Sequence, residues 1–319
     1  MIVGRMRQCK KYSCLATVTF REQINIFMEA ENGNELKALV HLLDDPDQEI
    51  IKMVVTKLTS LGPEIIPSLE AEWEKNADPS VHKRIEEVIH IIQDDTLKAD
   101  LKDWATNHSD DLLQGAILVA KHLFHDINIL KIQNQVEKLK KDIWLEMNYN
   151  LTPLEQVNVF NHVFYSLNGY RGNETDGTNP AYCYINHLLE TKKGNPISLG
   201  ILYLVIANQL QMPVYGVDLP QHFILSYHNH PIQAEQSEQE VRSDIIFYIN
   251  PLNKGMIFSR EDITHYLHKL EVKPLPNYFS PCNNLQVIRS LINYLINGYE
   301  LQNENDKVLE LKELLQVIN

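Results

Sequence analysis

The chain has 319 residues, of which 44% are hydrophobic and 22% charged, and its formal net charge is −13 at pH 7. This length and composition are ample for a large hydrophobic core and predict two or three domains. The excess of acidic residues argues against non-specific binding to nucleic acid or to an anionic membrane. The longest apolar run, around residues 197–207, is too short to span a bilayer. We therefore expect neither a nucleic-acid partner nor a membrane partner.

The four cysteines of the chain form neither a CxxC pair nor a zinc-binding spacing. Free thiols of this kind are typical of a reducing compartment, so we expect a cytoplasmic protein. His228 and His230 are a candidate metal pair, but no third ligand has a convincing spacing, and we expect neither a metal nor a cofactor. Residues 1–20 are basic at first and lack the apolar core of a signal peptide, so we interpret them as a disordered leader.

Residues 21–150 have the spacing of helices throughout. Two helical hairpins follow one another, and each turns at an Asp-Pro pair, Asp45-Pro46 in the first and Asp78-Pro79 in the second. Such units resemble HEAT repeats, but two units are few for a solenoid, which usually needs about three. An ordinary helical bundle is the alternative. The acidic pair Asp94-Asp95 predicts a boundary before a further helix over residues 97–106.

Residues 194–223 are the stretch around which the rest of the chain is organised. Asn195 is a suitable N-cap, Pro196 suits the first helical turn, and Ser198 follows within that turn. The next residues are apolar at almost every position, which predicts a central, buried helix, and a strand segment carrying His222 follows it. A hydroxyl at a helix N-terminus with a histidine on a nearby strand is the arrangement that papain-like hydrolases use with cysteine.

Strand and helix patterns continue to the end of the chain. Residues 224–227 continue one strand, residues 245–249 form another, and a helix begins at the capping residue Ser259. Three prolines between residues 274 and 281 predict a linker to a two-helix hairpin, similar in size to one tetratricopeptide unit. The predicted class is α+β, with four segments: 1–20, 21–150, 151–273 and 274–319.

A series of short motifs runs in a fixed order from about residue 158 to residue 262. They are Asn161 to Phe164, Gly169-Tyr170-Arg171-Gly172-Asn173, Asn179-Pro180, Tyr184-Ile185-Asn186, Gly194-Asn195-Pro196-Ile197-Ser198-Leu199, Leu202-Tyr203, Pro213-Val214-Tyr215-Gly216-Val217, Pro220, His222-Phe223 and Tyr248-Ile249-Asn250-Pro251-Leu252-Asn253. In this order they resemble the transglutaminase-like domain of the bacterial SirB-type family. The resemblance implies a papain-like core with a helix packed on an antiparallel sheet, and the helical arms also resemble that family's layout.

In active transglutaminase-like enzymes a cysteine, a histidine and an aspartate follow one another along the chain, and the thiolate attacks an amide carbonyl. The resemblance places His222 at the histidine and Asn250 at the aspartate, and an asparagine can still orient a histidine. The cysteine position falls on Pro196, which has no nucleophile, and Ser198 lies two positions later. Ser198, His222 and Asn250 are therefore the candidate catalytic residues, active or vestigial. The cleft is expected to include four more residues: Asn173, Asn195, Tyr203 and Gln221.

Three interpretations of function follow. The first is a catalytically silent transglutaminase-like domain, a pseudoenzyme whose cleft beside the central helix binds a peptide or protein partner. The alternative is a hydrolase or amidase in which Ser198 is the nucleophile, His222 the base and Asn250 the residue that orients it. A third is a scaffold whose cleft is filled by its own side chains. Whether the protein is an enzyme, what its ligand is and which oligomer it forms do not follow from the sequence.

Overall fold

The computed structural model describes residues 35–148, 150–173 and 179–319, so the leader predicted at residues 1–20 lies outside the described residues. The chain divides into two compact units, with the boundary after Thr96. Within the described ranges, no helix is long and apolar enough to cross a membrane.

The first unit consists of helices around an apolar core of its own. Helix α1 covers residues 35–42, and it is followed by α2 (Gln48–Ser60), a 3₁₀ turn (Pro63–Ile65), α3 (Ile66–Lys75) and the first part of α4 (Pro79–Asn107). Asp47 caps α2, because its carboxylate accepts a hydrogen bond of 2.9 Å from the backbone N–H of Glu49. Leu43, Leu58 and Ile85 are fully buried where the helices meet. The choice between a HEAT-like unit and a bundle stays open.

The helix break predicted at Asp94-Asp95 is wrong, because α4 continues through both residues, but the boundary between the two compact units does lie here, directly after Thr96. Aspartate costs only about 0.5 kcal/mol more than alanine inside a helix, whereas glycine or proline would be needed to end it sharply. Buried apolar residues continue at helical spacing on both sides of the acidic pair, as Ile92 and Leu97 show. The apolar pattern therefore outweighs the two charges.

The second unit combines helices with a small sheet, which confirms the predicted α+β class. Its helices after α4 are α5 (Leu112–Lys121), α6 (Ile129–Glu146), α7 (Pro153–Asn161), α8 (Ile185–Thr191), α9 (Pro196–Gln209), α10 (Glu238–Ser243), α11 (Arg260–Lys269), α12 (Asn284–Gln302) and α13 (Asn305–Val317). A π-helical turn (His162–Leu167) and two 3₁₀ turns (Pro180–Cys183 and Pro276–Phe279) complete the helical part.

The strands form two groups. Strands β1 (Arg171–Gly172) and β2 (Lys193–Gly194) are a short parallel pair. The antiparallel sheet has the order β3-β4-β5-β6, with β3 (Val214–Leu219), β4 (His222–His228), β5 (Ile245–Asn250) and β6 (Met256–Phe258). Strand β3 is thus an edge strand, and β3 and β4 form a hairpin in which Leu219 lies opposite His222.

Helices from before and after the sheet share its core. Leu139 of α6, Ile201 of α9, Leu225 of β4, Leu291 of α12 and Leu311 of α13 belong to one buried cluster. The predicted boundaries at residues 150 and 273 fall inside this unit, and they remain predictions about how the chain is organised.

Helix α9 is the centre of this core, as the sequence predicts, and every residue from Pro196 to Ala207 is buried. The helix approaches the sheet closely at Gly200. A Cβ atom at Gly200 would lie 2.6 Å from the ring of Phe223, and one at Gly216 of β3 would lie 2.6 Å from the opposite edge of the same ring. The Phe223 ring therefore fits between two glycines, one on the helix and one on the neighbouring strand.

Replacing Gly200 with alanine is expected to destabilise the protein. The added methyl group must displace the fully buried Phe223 ring, and we expect the free energy of unfolding to fall by about 1–3 kcal/mol. The loss should appear although alanine favours a helix by roughly 1 kcal/mol over glycine. Urea unfolding followed by circular dichroism measures the change.

Two variants serve as controls for Gly200→Ala. Asn208→Ala alters an exposed residue of the same helix and should change stability by no more than about 0.5 kcal/mol. Phe223→Leu shortens the opposing side chain, so the double variant Gly200→Ala/Phe223→Leu should lose less than the sum of the single losses. Strict additivity of the two losses would contradict the proposed contact.

Candidate functional site

The N-terminus of α9 is closed by a capping box. The Asn195 side-chain oxygen accepts a hydrogen bond of 3.0 Å from the Ser198 backbone N–H, and the Asn195 backbone N–H donates to Ser198 Oγ at 3.1 Å. Pro196 occupies the first helical turn, where its missing N–H removes no helical hydrogen bond. The sequence predicts this cap correctly.

The Ser198 hydroxyl is buried, with 1% of the residue exposed. Its Oγ donates a hydrogen bond of 2.6 Å to the carbonyl oxygen of Tyr182, while it accepts the bond from the Asn195 N–H. His222 is not a hydrogen-bond partner of this hydroxyl among the described residues. The structure therefore places Ser198 within the helix cap and does not join it to His222.

Cys183 lies next to the same cap. The side-chain NH₂ group of Asn195 donates to Cys183 Sγ at 2.9 Å. Burial raises the pKa of the Cys183 thiol to about 12, although the bond from Asn195 opposes the rise. At neutral pH the sulfur is protonated, and it does not supply the thiolate that a cysteine hydrolase needs.

His222 begins β4, directly after a tight turn in which Gln221 has a left-handed backbone conformation with φ of 60°. Its ring is partly exposed and lies 6.2 Å, between centroids, from the ring of Tyr266 on α11. Because side chains alternate along a strand, His222 faces α11, whereas Phe223 faces α9. Burial lowers the pKa of His222, and a hydrogen bond with Asn250 opposes this lowering.

Asn250 ends β5 and shapes the turn that follows. Its side-chain oxygen accepts hydrogen bonds from the backbone N–H groups of Leu252 at 3.1 Å and Asn253 at 3.2 Å, which fixes the amide plane. The structure thus brings together His222 and Asn250. A neutral imidazole held by an amide can accept a proton.

The turn after β5 also contacts the chain near the start of α9. A Cβ atom at Gly172 would lie 2.7 Å from the side chain of Leu252, so only glycine fits this approach. Gly172 pairs with Gly194, and the backbone N–H of Asn173 donates to the Gly194 carbonyl at 2.9 Å. These contacts connect the turn that contains Asn250 with the segment that leads into α9.

The four predicted cleft residues differ in their exposure. Gln221 is exposed and Asn173 is partly exposed, so both can contact a ligand. Asn195 is 2% exposed and Tyr203 0%, and the Tyr203 ring stacks on Phe160 with 3.9 Å between centroids. Both residues are too deeply buried to contact a ligand directly. Helix α9 is apolar on every side, so the sequence alone does not show which face Tyr203 occupies.

The two histidines of the candidate metal pair have separate partners. His228 is buried with its Nε2 atom 3.1 Å from Ser226 Oγ, and burial lowers its pKa to about 4. His230 is exposed and has its Nδ1 atom 3.0 Å from Asp244. In the part of the chain that the structure describes, no group of three or more potential ligands is arranged to hold a metal ion.

Sequence reasoning missed a cavity of about 980 Å³ beside the edge strand β3. Asp218 lines it and accepts a hydrogen bond from Ser290 of α12. The sequence does offer one indication of this site, because Asp218 is an acidic residue inside the otherwise apolar segment that forms β3. A charge buried in such a strand needs a compensating partner. Asp218 and Ser290 are 72 positions apart in the sequence, so no local motif predicts their contact.

Comparison with known proteins finds relatives of modest sequence identity. A UPF0162 protein of Xylella fastidiosa is 28% identical over 156 residues, which are 48% of this chain and 50% of that protein. The UPF0162 protein YchA of Escherichia coli K12 is 24% identical over 212 residues, 65% of this chain and 74% of that protein. Human F-box only protein 21 is 37% identical over 71 residues, 22% of this chain and 11% of that protein.

This chain spans about half the length of the Xylella relative. No solved structure gives a significant match. A family model described as the transglutaminase-like superfamily matches residues 130–293, which is about half of the chain and includes α9, the whole sheet and both His222 and Asn250. On this match, the chain belongs to the transglutaminase-like superfamily.

Proposed function

We propose that this protein is a catalytically silent member of the superfamily, and that it binds an extended segment of a protein partner at the surface around His222 and Asn250. The observation that carries the proposal is the environment of Ser198, whose hydroxyl is buried and hydrogen-bonded within the helix cap. Pro196, at the position where the resemblance implies a cysteine, has no nucleophilic group. A cytoplasmic location and the absence of a cofactor belong to the same proposal.

Catalysis by Ser198 would require several changes at once. The hydroxyl would have to leave the Tyr182 carbonyl and the Asn195 N–H, which would keep only the bond of 3.3 Å that joins them to each other. Each hydrogen bond lost in this way costs about 1 kcal/mol. The backbone N–H of Ser198, which a hydrolase would use for an oxyanion, already donates to the Asn195 side chain. These bonds favour a structural role for Ser198 over the alternative of a Ser-His-Asn hydrolase.

The pair of His222 and Asn250 supports a binding role. An imidazole that is neutral and oriented by an amide can accept a hydrogen bond from a peptide N–H without any chemistry. Gln221 is exposed beside it, and Asn173 follows the β1 strand that contacts the turn after Asn250. Side-chain amides at such positions can pair with both the N–H and the C=O groups of an extended peptide.

Replacing Ser198 with alanine tests the structural role directly. We expect the free energy of unfolding to fall by about 1–3 kcal/mol, because the Asn195 N–H and the Tyr182 carbonyl lose a buried partner. Ser259→Ala is the matched control, since Ser259 closes an equivalent but exposed capping box at α11 and should cost only about 1 kcal/mol. Urea unfolding measures both losses.

The same variants decide between the silent domain and the hydrolase. We expect a fluorophosphonate probe to label neither the wild-type protein nor Ser198→Ala. Stoichiometric labelling of the wild type that disappears in Ser198→Ala would establish the hydrolase and end the proposal of a silent domain.

Substitutions of Asn250 test its coupling to His222. The hydrogen bond to Asn250 favours the protonated ring, so Asn250→Ala should lower the pKa of His222 further. Asn250→Asp keeps a side-chain oxygen and adds a negative charge, so it should raise the pKa of His222 instead. A pH titration of the His222 ring signals by NMR measures both shifts. Unchanged titration in both variants would show that the two residues act independently.

The binding role is tested with peptides selected from a random displayed library against the full chain. We expect selected peptides to lose about tenfold or more in affinity with His222→Ala and with Gln221→Ala, a loss typical of a residue at the centre of an interface. His268→Ala, at an exposed position of α11, is the control and should leave affinity unchanged. Mass spectrometry should recover the bound peptides intact. Peptides that bind all variants equally, or that are cleaved, would overturn the proposed role.

A further inference from the structure

A second candidate site lies beside the edge strand β3. The cavity of about 980 Å³ is bounded by β3, by α12 and by residues of the segments 232–241 and 277–283. Its size suits a small ligand or a side chain of a partner, because ligand pockets typically enclose about 300–1,000 Å³. Neither His222 nor Asn250 lines it, so the inference drawn from this cavity does not rest on the proposed function.

Asp218 is the charged group of β3 that faces this cavity. One of its oxygens, Oδ2, accepts a hydrogen bond of 2.6 Å from Ser290 Oγ. No lysine, arginine or histidine of the described residues forms an ion pair with it. Burial raises the pKa of the Asp218 carboxyl, and the bond from Ser290 opposes the rise. The carboxylate is thus partly desolvated and has a neutral partner only, an arrangement that a bound cation would stabilise.

The other charged residues of the lining are already engaged. Glu238 pairs with Arg242 at 3.1 Å. The guanidinium of Arg289 donates to the backbone carbonyl of Ile318, with its Nε atom at 3.1 Å. The remaining polar lining consists largely of side-chain amides: Gln236, Asn277, Asn283, Gln286 and Asn293. Asp218 and Arg289 therefore both lack a counter-ion, but Arg289 is held by the Ile318 carbonyl, whereas Asp218 is held only by the Ser290 hydroxyl.

We propose that the cavity binds a cationic nitrogen group, an alkylammonium or a guanidinium, with the Asp218 carboxylate as its counter-ion. Ser290 holds one carboxylate oxygen, which leaves the other oxygen to receive an N–H donor. The side-chain oxygens of Asn277 and Asn293 can accept further N–H groups, which such cations carry in threes or fives. Those of Gln236, Asn283 and Gln286 already accept backbone N–H groups. The Asp218 carboxylate is partly buried, so the attraction is stronger than at a fully exposed surface.

Other ligand classes fit the lining less well. An anion would be attracted by Arg289 but repelled by Asp218 and Glu238, and the two carboxylates outnumber the one guanidinium of the lining. A divalent metal ion prefers several charged or carbonyl oxygens, and the described residues hold no cluster of three potential ligands here. A neutral apolar ligand would leave both the carboxylate and the amides without partners.

Calorimetric titration of the full chain with argininamide and with citrullinamide tests the proposal. Both probes are used with the α-amino group acetylated, because a free α-ammonium would itself be a cation of the proposed class. They have nearly the same shape, but only argininamide carries a charged guanidinium. We expect argininamide to bind about tenfold or more tightly than citrullinamide at equal ionic strength, the ratio that one charge-assisted contact provides. Equal affinities, or no binding of argininamide at millimolar concentration, would overturn the proposal without the use of any variant.

Two variants locate the binding. Asp218→Asn keeps the shape and an acceptor for Ser290 but removes the charge, so the preference for argininamide should disappear. Glu238→Gln removes a carboxylate that already has an arginine partner, and it should change the affinity by less than about threefold. Circular dichroism confirms that each variant is folded. An unchanged preference in folded Asp218→Asn would place the cation elsewhere and end the proposal.

Three further probes identify the source of the cationic group. Agmatine and spermidine represent free amines, and the blocked peptide acetyl-Gly-Arg-Gly-amide represents a basic side chain of a protein partner. Tighter binding of the peptide than of agmatine would support a basic segment of a protein, whereas the reverse order would support a free amine. Binding of none of the three would contradict the assignment.

Discussion

The packing of Phe223 between Gly200 and Gly216 is the constraint on which the second unit depends. Both glycines leave space that a Cβ atom would fill, so α9 and β3 approach the same aromatic ring from two sides. The ring belongs to β4, and its position fixes the register of that strand against the helix. His222 is the preceding residue, so the same contact determines where the imidazole lies and which face of the sheet it occupies.

The start of α9 shows how one pattern of residues can serve two purposes. The first N–H groups of a helix attract an anion, and hydrolases use them to stabilise developing charge. In this protein Asn195 and Ser198 satisfy each other's backbone groups, and the remaining hydroxyl donor is used on the Tyr182 carbonyl. The polar groups at the start of the helix are therefore hydrogen-bonded within the protein, and these bonds hold α9 in place. A proline in the first turn fits this use, since it neither donates a hydrogen bond nor carries a nucleophile.

Much of this arrangement could be predicted from the sequence because local rules decide it. The cap at Asn195 and the buried helix follow from short motifs, whereas the approach of His222 to Asn250 is implied only by the resemblance to a known family. The hydrogen-bond partner of Ser198 could not be predicted, since a serine in a first helical turn suits both a cap and a nucleophile. The burial of Tyr203 could not be predicted either, because the sequence of a helix that is apolar all round does not show which side faces a ligand.

The two proposed sites use opposite faces of one hairpin. Leu219 and His222 are a cross-strand pair, and so are Asp218 and Phe223. Paired residues share a face, so His222 lies on the side of α11, whereas Asp218 lies with Phe223 on the side of α9 and α12. The contacts of His222 with Tyr266 and of Asp218 with Ser290 agree with this division. The cavity at Asp218 extends around the edge of β3, because Leu219 and Pro220 also line it, but neither His222 nor Asn250 does. A ligand can therefore occupy this cavity without displacing either of those two side chains.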